Sequence, residues 1–307
     1  IKRGKKNFYY LTQTLRVKDK FKKIRRLLSR GDIPQEQLLK LAKEAETLLN
    51  EEIQQTKSIS KIVKLNKETS HRLELVKIGY KKLLEKLSPI EYSVIEKEQL
   101  VRFTFNTNAL EGSTITLKDT AHILNDGISP EGKELREIYE VENTRKAYEF
   151  MKKHKNGITF NFILELHYQL TYNILGEQAG KFRRIQVYMG GSRHIPPPAS
   201  AVNAKMISFL NWFRNHSKLH PVVLGVYFHH LFIAIHPFID GNGRTGRLLL
   251  NFILMKNGYP PICIKKEERI KYTNYLESAR EGDIALFLNF IVSKVEEAYQ
   301  TLVDNTL

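Results

Sequence analysis

His236-Pro-Phe-Ile-Asp-Gly-Asn-Gly-Arg-Thr-Gly-Arg247 runs directly into Leu248, Leu249, Leu250, Phe252, Ile253, Leu254 and Met255. The apolar run has helix length and stops near Asn257-Gly258, a usual helix end. The glycines therefore stand at the mouth of a helix. Unpaired backbone N–H groups and the helix dipole make such a mouth an anion site, and Gly241 and Gly243 let the backbone approach a phosphate without a Cβ between. Arg244 and Arg247 lie three residues apart, on roughly one helix face. Asp240, just before the turn, is suited to Mg²⁺, which favours one or two carboxylates shared with phosphates. His236 lies upstream, where an imidazole can take a proton from an incoming hydroxyl.

A lone glycine turn with solvated arginines would be unremarkable as structure, but the whole constellation within twelve residues favours phosphate chemistry. Two common phosphate loops do not fit: there is no G-x-x-x-x-G-K-[ST] lysine, and no parallel strand of a dinucleotide-binding unit precedes the turn.

The stretch resembles the H-x-F-x-[DE]-G-N-G-R-x-x-R signature of Fic (Fido-fold) enzymes at every fixed position. Flanking segments are similar too: Gly180–Val202 to the family's flap, FHHLFIAIHPF to the lead-in, and Lys271–Ile291 to the closing helices. The resemblance covers roughly residues 100 to 295. It implies transfer of AMP from Mg·ATP to a Ser, Thr or Tyr hydroxyl of a protein, or of the chain itself, with ATP and Mg²⁺ as cofactors. On that likeness His236 is the general base and Asp240 holds the metal. Gly241, Asn242, Gly243, Arg244, Gly246 and Arg247 handle the phosphates. Tyr272 and Glu277 lie near the adenosine, although Arg280 stands where several relatives carry Asn. Val187, Tyr188, Met189 and Gly190 form a flap that docks an extended target segment.

Thr107-Asn-Ala-Leu-Glu111-Gly112 resembles the family's inhibitory pattern, [ST]-x-x-x-E-[GN], placed ahead of the catalytic core. The implied device is a pairing of Glu111 with Arg247, a strong contact in a partly dry site. The same residues serve the reverse reaction, removal of AMP from a modified protein, so that reading stays open. So does a nucleotide-sensing regulator that binds nucleic acid.

The rest of the chain fits these expectations. A 42% apolar and 27% charged composition is that of a globular protein. The single Cys263 excludes an internal disulfide framework. No apolar run reaches membrane-spanning length, and the start is charged rather than signal-like, so the expectation is a cytoplasmic protein without membrane association, possible as a homodimer. The net charge is +16, and residues 1–90 carry 23 Lys and Arg against 10 Asp and Glu. That excess suits either a solubilising arm or an acidic partner such as nucleic acid.

The expected fold is all-α: a Fic-type domain over 91–307, its inhibitory helix near 100–112, after a basic accessory region over 1–90. Asn7–Val17 and Phe21–Leu28 read as a hairpin, with a basic helix as the rival for the second segment. Helices are expected over Gln35–Gln55, Ile59–Leu87, Glu91–Asn106, Leu117–Ile123, Lys133–His154, Thr159–Tyr172, Ser200–His216, Val222–Ile235, Gly243–Lys256, Glu267–Glu281 and Ile284–Asn305. Asp119, Thr159 and Ser200 read as start signals. Arg184–Ile195 alternates around a Met-Gly-Gly-Ser turn and reads as a small β-hairpin flap. His167, His194, His229 and His230 lack metal-ligand spacing and read as structural histidines.

Overall fold

A computed structural model describes residues 2–3, 6–17, 20–43, 45–46, 62–190 and 192–306. The chain divides into two compact units, Ile1–Ile62 and Val63–Leu307.

In the first unit, β1 (Lys2–Arg3), β2 (Lys6–Val17) and β3 (Lys20–Arg30) form an antiparallel sheet in that order. β2 and β3 pair from Val17↔Lys20 to Phe8↔Arg30, with a bulge at Tyr9/Tyr10. The second segment is therefore a strand and not a basic helix. The Asp32 carboxylate closes the open end, accepting from Asn7 Nδ2 at 2.8 Å and from the Tyr9 hydroxyl at 2.6 Å. These bonds hold the carboxyl below its ordinary range. Residues 35–43 are helical; the remainder of the helix expected to Gln55 lies largely outside the described residues.

The second unit is helical: α1 (Lys67–Lys86), α2 (Pro89–Ala109), α3 (Leu117–Ala121), α4 (Leu135–Lys153), α5 (Phe160–Leu175), α6 (Val202–Asn215), α7 (Pro221–Ile235), α8 (Asn242–Lys256), α9 (Arg269–Arg280) and α10 (Ala285–Asp304). α7 is apolar nearly all round and lies buried at the centre, packed on α6, α8, α9 and α10. Gly246 makes the α7–α8 crossing close. A Cβ there would stand 2.9 Å from Ile233 Cδ1 and 3.1 Å from the His229 ring.

Local chemistry sets the helix starts. Thr159 caps α5, its side chain accepting from the Phe162 N–H at 3.1 Å. Ser88 and Glu91 form a capping box around Pro89 at the start of α2. Three expectations are corrected. α1 starts at Lys67 behind the cap Asn66, well after Ile59, because the Asn66 carboxamide accepts from the Thr69 N–H at 2.7 Å. Thr116, not Asp119, caps α3, with Asp119 as the third-residue partner of the box. Ser200 sits in a 3₁₀ turn and caps nothing. α1 packs on α10 and belongs to the helical unit, which begins at Val63.

The flap is a further correction. Arg184–Ile195 holds no strand among its described residues. Its carbonyls are taken by side chains: Ile185 O accepts from Arg183 Nη1 at 3.0 Å, and Val187 O and Pro196 O accept from Gln186 Nε2 at 3.2 and 3.0 Å. Pro196, Pro197 and Pro198 bring no N–H of their own. What remains is an extended loop, turned where the Ser192 N–H meets Met189 O at 3.2 Å.

Among the described residues, no helix is long and apolar enough to cross a membrane.

Candidate functional site

The site is built where α7 hands over to α8. His236 ends α7 in a left-handed conformation at φ 50°. Its carbonyl accepts from Arg183 Nε at 2.8 Å. Burial pushes its pKa down to about 4, so the imidazole is neutral, the form a general base requires.

The loop from Phe238 to Gly241 is held from both ends. Asn242 is stapled to Phe238: Oδ1 accepts from the Phe238 N–H and Nδ2 donates to Phe238 O, both at 2.9 Å. The Phe238 ring is fully buried and stacks on His167 at 3.6 Å between centroids. His167 accepts at Nδ1 from the Gly180 N–H, so its proton sits on Nε2, which donates to Asp240 O at 2.9 Å. Burial lowers His167 to about 4 and keeps it neutral. Gly241 takes φ 76°. The first backbone bond of α8 runs from the Thr245 N–H to Gly241 O at 2.9 Å, so the N–H groups of Asn242, Gly243 and Arg244 form the open helix mouth.

The carboxylate of Asp240 is 38% exposed at that mouth. Its Oδ1 accepts from the Gly241 N–H at 2.6 Å, and its Oδ2 accepts from Arg136 Nη2 at 2.7 Å. Desolvation would raise its pKa, but Arg244, the Gly241 N–H and Arg136 together lower it. An anionic hard oxygen beside an open helix N-terminus fits a magnesium ion that shares its shell with phosphates.

The two arginines differ. Arg244 is 2% exposed and turns to Glu140, 3.2 Å away, and to Asp240, at 3.6 Å. Arg247 is 5% exposed and is gripped from the end of α2. Its Nε donates to Thr107 Oγ1 at 2.8 Å, and its Nη2 donates to Thr107 O at 2.9 Å and to Glu111 Oε1 at 2.6 Å. Desolvation would raise the pKa of Glu111, but Arg247 and Arg244 lower it further. The missing Cβ of Gly243 leaves the space into which the Glu111 carboxylate reaches. Gly112, at φ 104°, turns the chain away just after α2.

Other expected residues take supporting positions. Tyr272 is 6% exposed, with its hydroxyl 2.7 Å from His229 Nε2 and within reach of Arg247. Glu277 pairs with Arg280, which also donates to Ser192 Oγ at 3.1 Å and lies 3.7 Å from Met189 Sδ, tying the flap to α9. Tyr188, at 77% exposure, projects from the flap beside Val187 and Gly190. His194 Nε2 bonds Ala234 O at 2.8 Å and ties the flap to α7. His229 and His230 are pushed down by burial, to about 4 and about 3. A separate cavity of about 330 Å³, lined by Ile95, Phe103, Phe105, Pro261, Cys263 and Leu302, contains neither His236 nor any residue of the α8 mouth.

Sequence reasoning missed Arg183, Arg136 and Glu140; His167, read as a structural histidine, is one. Arg183 binds His236 O, Ile185 O and Pro197 O, and its N–H donates to Pro237 O, so one residue knits the flap to the loop between α7 and α8. Its place inside GKFRR, within the flap-like segment, was the available signal. Arg136 and Glu140 lie about a hundred residues from the helix mouth, and nothing local marks them.

Comparison with known proteins gives a consistent family signal. The model of the Fic/DOC family matches residues 157–254. The protein adenylyltransferases Fic of Drosophila persimilis and Drosophila melanogaster are each 39% identical over 207 residues, 66% of this chain but only 40% and 42% of theirs. The chain thus spans less than half the length of these relatives. A Fic domain-containing signaling protein from Bacteroides thetaiotaomicron superposes with a TM-score of 0.69 at 26% identity, over 76% of this chain and 96% of that one. Fic-1 from C. elegans gives 0.70 at 26% identity, over 89% and 78%.

Proposed function

Because this chain belongs to the Fic/DOC family, we propose that it transfers AMP from ATP to a hydroxyl side chain of a protein, and that Glu111 restrains the transfer. The observation that carries this reading is the Glu111–Arg247 contact at 2.6 Å, at the mouth of α8, after the loop that the neutral His236 opens.

His236 takes the proton of the attacking hydroxyl as its oxygen closes on the α-phosphorus. The bond from that phosphorus to the bridging oxygen breaks, and pyrophosphate leaves. The N–H groups of Asn242, Gly243 and Arg244 donate to the α-phosphate oxygens, where charge grows in the transition state. Asp240 would hold Mg²⁺, which when bound neutralises the donor's phosphate charge. Arg247 receives the terminal phosphate once Glu111 releases it. The flap around the exposed Tyr188 is where a target segment would dock.

The test is mass spectrometry of the purified chain and a candidate target after incubation with Mg·ATP, looking for an added AMP. Glu111→Gly is expected to raise transfer roughly ten- to a hundredfold, since a hydrogen bond to a charged group is worth about 1.5–3 kcal/mol. His236→Ala in the Glu111→Gly background is expected to abolish transfer while ATP binding survives. Equal transfer by the parent and Glu111→Gly would defeat the restraint; transfer retained without His236 would defeat the assignment of the base.

A further inference from the structure

The carboxylate at the helix mouth is already occupied by a cation, and that cation belongs to the protein. Arg136, in the first turn of α4, donates from Nη2 to Asp240 Oδ2 at 2.7 Å and from Nε to Glu140 Oε1 at 3.3 Å. Arg244 faces the same two acids from the other side, 3.2 Å from Glu140 and 3.6 Å from Asp240 Oδ1. Two carboxylates and two guanidiniums thus alternate in a closed ring.

The ring is asymmetric. Arg244 is 2% exposed and the Glu140 side chain 11% exposed. Neither can leave without stranding a buried charge, so this half is fixed. The Arg136 side chain is 54% exposed, and its guanidinium can swing into water at small cost. One member of the ring is detachable, and it is the member that sits directly on the outward oxygen of Asp240.

Resting on the reading of Asp240 as the metal-holding residue, we propose that Arg136 guards that carboxylate and that a divalent cation must displace it to bind. The physical reason is exclusion. A guanidinium and a dication cannot both take Asp240 Oδ2, because like charges within a few ångströms repel. The restraint on this site is then double: Glu111 stands in for a phosphate on Arg247, and Arg136 stands in for the metal on Asp240. Arg136 is in this sense a positioning residue that acts through Asp240.

The experiment is a titration of Mn²⁺ into the full chain, followed by loss of the electron paramagnetic resonance signal of the free ion. It compares the parent with Arg136→Gln, Arg136→Lys, Asp240→Asn and Arg145→Gln. Arg145 lies on the same helix but bonds Glu149 at 3.0 Å, so it controls for bulk charge. Arg136→Gln is expected to bind Mn²⁺ about three- to tenfold more tightly than the parent, the range for losing a charge-assisted but partly solvated contact. Arg136→Lys is expected to fall between them, since it keeps the charge but loses the fork. Arg145→Gln should match the parent, and Asp240→Asn should lose the site. Thermal unfolding of each variant separates loss of fold from loss of guard. Equal affinity in the parent and Arg136→Gln, or an equal gain in Arg145→Gln, overturns the guard and leaves the metal role of Asp240 standing. Absence of Asp240-dependent binding in every variant overturns both.

Discussion

At the scale of single residues, charge is arranged so that His236 stays neutral while the groups around it are ionised. A histidine in water has a pKa near 6.5; burial brings His236 down to about 4. The imidazole is therefore already unprotonated at neutral pH and remains so on mild acidification. In the Glu111→Gly background, kcat/KM for ATP is expected to hold roughly constant from pH 8 to about pH 5 and to fall only toward pH 4, because this parameter reports the free enzyme's groups. A half-loss near pH 6.5 would place His236 in water instead. Much of this scale was legible in advance. The twelve-residue stretch held His236, Asp240 and the glycine turn, which the structure gathers at the mouth of α8, and TNALEG held both Thr107 and Glu111, which meet on Arg247. Arg136 was not legible, because its bond to Asp240 spans 104 positions and its own neighbourhood is an ordinary charged helix start.

Elements were legible wherever burial enforced a helical period. α5, α7, α8 and α10 came through to within a few residues, since each presents a continuous apolar face. Starts were less secure, because Thr116 and Asn66 cap through bonds that compete with equally plausible neighbours. The flap failed as a hairpin for a tertiary reason. Its alternation is genuine, but Arg183 and Gln186 take the carbonyls that a ladder would need. The α7–α8 crossing supplies the prediction at this scale. Replacing Gly246 with Leu drives a side chain into Ile233 and the His229 ring. Overpacking of this kind costs about 1–3 kcal/mol, partly offset by up to about 1 kcal/mol of regained helix propensity. Thermal unfolding should show a melting temperature lowered by several degrees; an unchanged or raised value would mean that the crossing is looser than described.

At the scale of the whole molecule, the unit from Val63 to Leu307 holds every residue of the site. A chain beginning at Val63 is therefore expected to fold with its main thermal transition preserved and to bind ATP like the full chain, measured by calorimetry; loss of cooperative unfolding would show that residues 1–62 are needed for the core. The sheet has a different character. Residues 1–30 hold 12 Lys and Arg against one acidic residue, Asp19. Full-length chain is expected to retain a duplex oligonucleotide at low salt, with log affinity falling linearly in log salt, and the shortened chain to lose most of it. A flat or absent titration would leave the charge as a solubilising device. The Glu111–Arg247 contact also has a consequence for the kinetics. Its partners lie 136 positions apart in one polypeptide and inside one compact unit. On the proposed reading, the restraint is therefore carried within a single chain. Each molecule then carries its own throttle, and a ligand that competes for the arginine or shifts the end of α2 would change the setting.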